Sequence, residues 1–411
     1  MHILPPPDSQ LGLAVVLPCH NEPDVITTLA SLSRCEPSAC AVEVFLIINA
    51  SETSAASIQT QNTRTLSSVE QWLEEQSRTL PFVLHVIHEP ALPAKHAGVG
   101  LARKIGMDLA ASRLKSVGRP KAPIVNLDAD CEVSPNYFCA LETHFQQHPK
   151  TPGASLYYAH PLTGSFPDAH YEAIAYYELF LRYYTHGLTY AGFPFGFQTV
   201  GSAMAVRAHV YQKVGGMNRR KAGEDFYFLH KVIDQGHFTD IRTLTVMPSP
   251  RVSERVPFGT GKAIGDFMAS AQHLYLQHPL DAFETLKAFT ASVPDFYTAT
   301  SETLPGLCDG LDPVLQSFLQ QQKFASKLLE IQNNTTHFES FKKRFFQWFN
   351  GFRAMKALHA LRDVYGEADV LEHSRRLLNS AYGKQVNKMS VVELLEIYRG
   401  LDLSDAPRLL K

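Results

Sequence analysis

The sequence predicts an α/β fold: a mostly parallel sheet flanked by helices, followed by an α-helical C-terminal extension. Two observations lead there. Through the first third, apolar runs of strand length alternate with amphipathic stretches of helical length, the pattern of parallel strands joined by crossover helices. From about residue 312 onward the periodicity is helical throughout.

The strand runs are "GLAVVLP" (12–18), "AVEVFLII" (41–48), "FVLHVIH" (82–88) and "APIVNL" (122–127). Helices are predicted between them near 24–34, 67–78 and 97–115. A second stretch, about 150–265, mixes the strands "GASLYYAH", "GSAMAV" and "RTLTVMP" with helices near 168–187 and 224–236. Tail helices are expected near 312–331, 338–363, 367–381 and 390–400. The expected division is therefore a catalytic domain over 1–265 and a helical region over 266–411. Ligands of such sheets sit beyond the C-terminal strand ends, where "PCHNE", "NASET" and "DAD" fall.

Composition narrows the function. In 411 residues, 45% hydrophobic, 38 Lys and Arg stand against 40 Asp and Glu. That balance gives no general basic field and disfavours nucleic acid as a partner. Six cysteines without zinc-type spacing suit a reducing compartment. The N-terminus lacks a signal-peptide pattern, and the uncharged stretch 187–206 is broken by glycines and a proline. The expectation is a soluble, cytoplasmic protein.

"VNLDADCEVS" (125–134) ends a strand run with Asp128 and Asp130. On an extended backbone both side chains leave from one face, where two like charges call for a cation or a shared proton. A divalent ion is one reading, and capping of the next helix is the other. "AGEDFYFLHKV" (222–232) sets Glu224 and Asp225 at a helix start. Acids there complement the helix dipole, but the surrounding apolar residues could also tune one towards a general base.

"HAGVGLARKIGMDLA" (96–110) lacks the third glycine of a dinucleotide fingerprint and follows the third strand. What it offers is a glycine-containing helix start with Lys95, Arg103 and Lys104, suited to an anion. "RVSERVPFGTGKAIGDF" (251–267) brings Arg251, Arg255 and Lys262 around two glycines. It reads either as an exposed loop or as a cationic cover over a diphosphate. The tyrosine-rich helix 171–190 suits a core, with some rings available to an acceptor pocket. The basic amphipathic stretch 341–362 either packs on its neighbours or makes a peripheral membrane contact.

The ordered succession "VVLPCHNE", "IINASE", "GLARKIG", "LDAD", "GGMNRRKAGEDF" resembles the family 2 glycosyltransferases, with the GT-A type, Rossmann-like nucleotide-diphospho-sugar transferase fold. The resemblance covers roughly 12–265, with a nucleotide-binding half over 12–130 and an acceptor half over 131–265. It implies that Pro18, His20, Asn21 and Glu22 line the nucleotide pocket and that Asn49 takes the base-contacting position, where an acid is usual. It sets Arg103 against the base or ribose, gives Asp128 and Asp130 to a Mn²⁺ or Mg²⁺ ion, and puts Gly201 and Ser202 along the donor and acceptor cleft. Asp225 becomes the base and Glu224 its neighbour, with Arg251, Arg255 and Lys262 near the diphosphate.

The expected activity is metal-dependent, hexosyltransferase-like transfer from a nucleotide-diphospho-sugar to an acceptor hydroxyl, with inversion. The acceptor class stays open among glycans, lipid-linked carriers and small molecules, and the inner membrane face is the alternative location. Two other functions remain: a nucleotidyltransferase that makes the activated sugar, and a non-catalytic nucleotide-sugar-binding protein. The first is disfavoured because "PCHNEPD" is neither glycine-rich nor basic, and the second because both acidic pairs are kept.

Overall fold

The computed structural model describes residues 4–76, 79–253, 259–270 and 274–404. It divides into two compact units, one of Met1–Phe166 and Thr199–Lys262, the other of Pro167–Gln198 and Ala263–Lys411.

The first unit opens with β1 (Leu11–Cys19), α1 (Val25–Ser33), β2 (Ala41–Ser51) and α2 (Ala56–Glu74). Then come β3 (Val83–Leu92), α3 (Val99–Ser116), β4 (Pro123–Asn126), β5 (Cys131–Val133), α4 (Tyr137–Gln147) and β6 (Gly153–Tyr158). The chain next forms α5 (Asp168–Tyr190), which belongs to the second unit. It returns for β7 (Met204–Arg207), α6 (Ala208–Lys213), α7 (Glu224–Ile233) and β8 (Thr239–Pro248), after which α8 (Thr260–Ala269) follows.

Among the described residues the strands form an eight-stranded sheet in the order β3-β2-β1-β4-β7-β6-β8-β5. Pairing is parallel between β1 and β2, β2 and β3, β1 and β4, and β6 and β8. It is antiparallel where β7 meets β4 and β6, and where β5 meets β8. The central strands are continuous apolar runs because both their faces are covered; Val15, Val44 and Val125 are fully buried. Register sets Cys19 beside Ile48 and Val16 beside Asn126, so β1, β2 and β4 end on the same edge. Chain order reverses between β1 and β4, the usual crevice for a ligand in such sheets.

The start of α2 departs from expectation. It begins at Ala56 rather than near 67, because its early inner face is polar and shows no apolar periodicity. Asn62 and Thr65 are buried there and are satisfied by hydrogen bonds to the carbonyls of Asn49 and Glu22.

The second unit is helical. Besides α5 and most of α8 it holds a short β9 (Leu276–Gln277) paired with β10 (Ala368–Asp369). Its further helices are α9 (Leu280–Ala291), α10 (Val293–Thr298), α11 (Leu304–Asp309), α12 (Pro313–Gln321) and α13 (Phe324–Asn333). They continue with α14 (Phe338–Trp348), α15 (Gly351–Tyr365), α16 (Val370–Tyr382) and α17 (Val391–Leu403). Helix thus begins at Leu280, ahead of the expected 312. The predicted helix 312–331 is two, broken at Lys323 in a left-handed conformation (φ 55°). The predicted 338–363 is also two, because the Asn350 side chain accepts from Arg353 N–H and caps α15.

The aromatic face of 341–362 lies inside this unit. Phe345 packs on Phe289 at 5.7 Å between centroids, and Trp348 stacks on Phe324 at 5.4 Å. Helix packing alone accounts for that amphipathicity. The α5 tyrosines also pack within the unit: Tyr183 meets Phe283 edge-on and donates to the His278 carbonyl. Beneath them a buried ionic network joins Glu178 to Arg182 and Arg399, and Arg182 onward to Asp402. Among the described residues no helix is long and apolar enough to cross a membrane.

Candidate active site

The first part of the site is the loop that leaves β1. His20 Nδ1 donates to the Asn49 carbonyl at 2.8 Å, tying it to the end of β2. Asn62 Nδ2 donates to the same carbonyl at 2.9 Å, and Asn62 Oδ1 accepts from the Asn21 N–H at 3.0 Å. Asn21 holds φ 50°, a left-handed conformation that asparagine tolerates better than most residues. The turn delivers Glu22 inward, fully buried, while Pro18, His20 and Asn21 stay half-buried. Asn49 is buried as well, and its Oδ1 has no hydrogen-bond partner among the described residues.

The second part lies beyond β4. Asp128 and Asp130 do not sit on an extended strand as the spacing suggested. The chain turns there to enter β5, and Cys131 N–H donates to the Asp128 carbonyl at 3.1 Å. The turn sends the two carboxylates to different arginines. Asp128 accepts from Arg103 Nη2 at 2.5 Å. Asp130 accepts from Arg251 Nη2 at 3.2 Å.

Arg103 then links the two acidic pairs. Its guanidinium, 3% exposed, bonds Glu224 through Nη1 while holding Asp128 through Nη2. Burial opposes the charge, but Asp128 and Glu224 more than offset it and raise the Arg103 pKa. The resemblance sets this residue against a base or ribose; here two carboxylates engage it. Gly201 lies directly against the guanidinium, where a Cβ would stand 2.5 Å from Nη1. Ser202 is buried beside the Cys131 thiol.

Glu224 and Asp225 start α7 because Gly223 takes a left-handed φ of 68° that opens the helix. Burial raises Glu224 to about 7 despite Arg103, with Asp225 adding to the rise. Burial also raises Asp225, again against the pull of Arg103, and its Oδ1 accepts from Phe226 N–H at 2.8 Å. A carboxyl held above its usual range is a better proton acceptor once ionised.

Close approach at Gly100 secures this geometry. A Cβ there would lie 2.3 Å from the Arg220 carbonyl oxygen and 3.1 Å from Glu224 Cβ. Gly100→Ala gains helix propensity but overpacks the junction of α3 with the segment before α7. We expect a net loss of roughly 1–3 kcal/mol. A thermal melt checks it, and a melting temperature at or above wild type would contradict the packing account.

The third part is cationic. Arg251 bonds the Glu22 carboxylate, contacts Asp130, and lies 3.6 Å from Asp24. Lys262 is half-buried in the first turn of α8, and Gly261 packs closely on Ser253. Arg255 lies outside the described residues. The structure therefore joins Glu22, Arg251 and Asp130 in one group, and Asp128, Arg103, Gly201 and Glu224 in another.

Among the described residues no three His, Cys, Asp or Glu side chains form a metal site by themselves. The donor chemistry nevertheless fits a hard divalent ion, which commonly takes one or two carboxylates plus ligand phosphates. Asp130 and Asp128, with side chains 20% and 38% exposed, are both partly accessible oxygen donors. Sequence reasoning missed Asn62 and Thr65, since polar residues on an inner helix face carry no periodic apolar signal.

Residues 123–277 match the family model described as glycosyl transferase family group 2. Over that segment the chain is similar to the family 2 glycosyltransferases. That segment includes the Asp128–Asp130 turn, Gly201, Ser202 and the Glu224–Asp225 helix start. No curated protein matches the chain. Among solved structures it is similar to S. aureus TarS 1–349 in complex with UDP-GlcNAc, at 12% identity and TM-score 0.42, over 73% of this chain and 79% of that one. It is also similar to the mannosyltransferase PcManGT of Pyrobaculum calidifontis in complex with GDP-Man and Mn²⁺. There the identity is 14% and the TM-score 0.37, over 98% of this chain and 84% of that one. Both scores lie below 0.5.

Proposed function

We propose that the protein transfers a sugar from a nucleotide-diphospho-sugar to an acceptor hydroxyl, with inversion, using a divalent metal ion. The observation that carries this reading is the charge relay at one sheet edge: Glu22, Arg251 and Asp130 on one side, Asp128, Arg103 and Glu224 on the other. It supports a reading in which diphosphate and metal groups share this edge with a carboxyl pair suited to proton transfer.

In this reading Pro18, His20, Asn21, Glu22 and Asn49 form the nucleotide pocket, with the unpartnered Asn49 Oδ1 as an acceptor for a base N–H. Asp130, adjoined by Asp128, would hold Mn²⁺ or Mg²⁺, which when bound neutralises charge on the departing diphosphate. Arg251, Arg255 and Lys262 add positive charge for the same group. Asp225 takes the proton of the acceptor hydroxyl, and its neighbour Glu224 is held by Arg103. Gly201 and Ser202 line the cleft. Among the described residues the six cysteines form no disulfide, which is compatible with a reducing compartment.

A panel of UDP- and GDP-sugars, assayed for released nucleoside diphosphate with and without Mn²⁺, tests this reading. At least one donor is expected to give metal-dependent release. Release from none of a broad panel, with folded protein, would refute it.

A further inference from the structure

Arg251 engages Asp130, the carboxylate that would chiefly hold the proposed metal ion, together with Glu22. One Nη2 contacts both Glu22 Oε2 and Asp130 Oδ2, and Nη1 faces Asp24 Oδ2 at 3.6 Å. Its side chain is only 17% exposed, and among the described residues its buried Nε has no hydrogen-bond partner. Glu22 cannot move away easily. Its Oε1 accepts from Asp24 N–H at 3.0 Å, and its carbonyl accepts from Thr65 Oγ1 at 2.7 Å. Arg251 lies outside the sheet ladder, three residues after the end of β8.

The geometry points to Arg251 as an exchangeable counter-ion: it holds Asp130 in the nucleotide-free protein and passes to the donor's diphosphate when that arrives, releasing the carboxylate to the metal. The inference rests on the glycosyltransferase reading above and adds an order of binding to it. A guanidinium and a divalent cation cannot share one carboxylate cheaply, because like charges at contact distance repel strongly where water is scarce. A diphosphate is the better partner for the guanidinium, since its oxygens match the planar fork and carry more charge. The metal is therefore disfavoured until the donor is present. Binding of each favours the other, as reciprocal coupling requires.

Mn²⁺ alone is the probe, followed by electron paramagnetic resonance as the signal of the free ion disappears. Arg251→Gln is expected to bind Mn²⁺ without nucleotide at least about tenfold more tightly than wild type. Arg251→Lys is expected in between, because an ammonium keeps the positive charge but lacks the second arm, Nη1, that faces Asp24. Wild-type affinity in the folded glutamine variant would overturn the proposal. If that variant does not fold, the lysine variant decides alone, and wild-type affinity there overturns it. A second arm adds UDP or GDP to the Mn²⁺ titration of wild type. Nucleotide-dependent Mn²⁺ uptake with unchanged variants sinks the exchange idea and keeps the glycosyltransferase reading. No Mn²⁺ uptake in any sample, with or without nucleotide, sinks both.

Discussion

Asp225→Asn is expected to lower turnover by roughly 10²–10⁴-fold, the range for loss of a general base. The amide keeps the size of the carboxyl and its ability to accept from Phe226 N–H, so the start of α7 stays intact. What disappears is the group that receives the acceptor's proton. Nucleoside diphosphate affinity is expected to stay within a few-fold of wild type, because the nucleotide loop and Asp130 are untouched. The pH dependence carries the same signature. Burial raises Asp225 above the ordinary aspartate value, so the base is lost to protonation as pH falls through that raised value. The acid limb of the wild-type profile therefore lies above the ordinary aspartate range. Turnover of the asparagine variant equal to wild type removes Asp225 from the role.

Arg103→Met is expected to cost about 3–5 kcal/mol of stability, the penalty for breaking a buried ion pair from one side. Methionine replaces the aliphatic stem but leaves Glu224, 1% exposed, with Asp225 and Asp128 and without the cation that draws its pKa down. Glu224 then responds by keeping its proton to higher pH. A carboxyl with a raised folded pKa contributes stability at low pH and loses it as pH rises from the unfolded value through the folded one. Wild-type Glu224 completes that loss near its value of about 7; the variant continues to lose stability beyond it. Melting curves from pH 5 to 8 should show the gap from wild type widening above pH 7. A gap that is small and independent of pH would mean that Arg103 does not hold the acids together. Activity is expected to fall too, since the residue bridges Asp128 and Glu224.

The two results depend on features of different visibility in the sequence. The strands at 12–18, 41–48 and 122–127 were legible because doubly covered strands are apolar without interruption, and the edge strand at 82–88 from an apolar run broken only by histidines. From their ends followed the positions of the His20–Glu22 loop, Asn49 and the aspartate pair. Helix α7 was legible from Gly223 and the acids behind it. The turn at 128–131 was not, since spacing alone cannot say where a strand stops. Nor was the first half of α2, whose inner face is made of Asn62 and Thr65. Arg103 and Arg251 were visible as cations, but their choice of partners depends on contacts 25 to 229 residues apart in the chain. Those contacts exist only once the sheet edge has assembled. The break between α14 and α15 was hidden for a local reason: an Asn cap within a long amphipathic pattern.

Isothermal titration of UDP and GDP, each with and without Mn²⁺, tests the central claim most directly. The account predicts that one of the two binds, that Mn²⁺ tightens the binding, and that Asp130→Ala removes the increment due to metal. Failure of both nucleotides to bind, or binding that is indifferent to Mn²⁺, would contradict it.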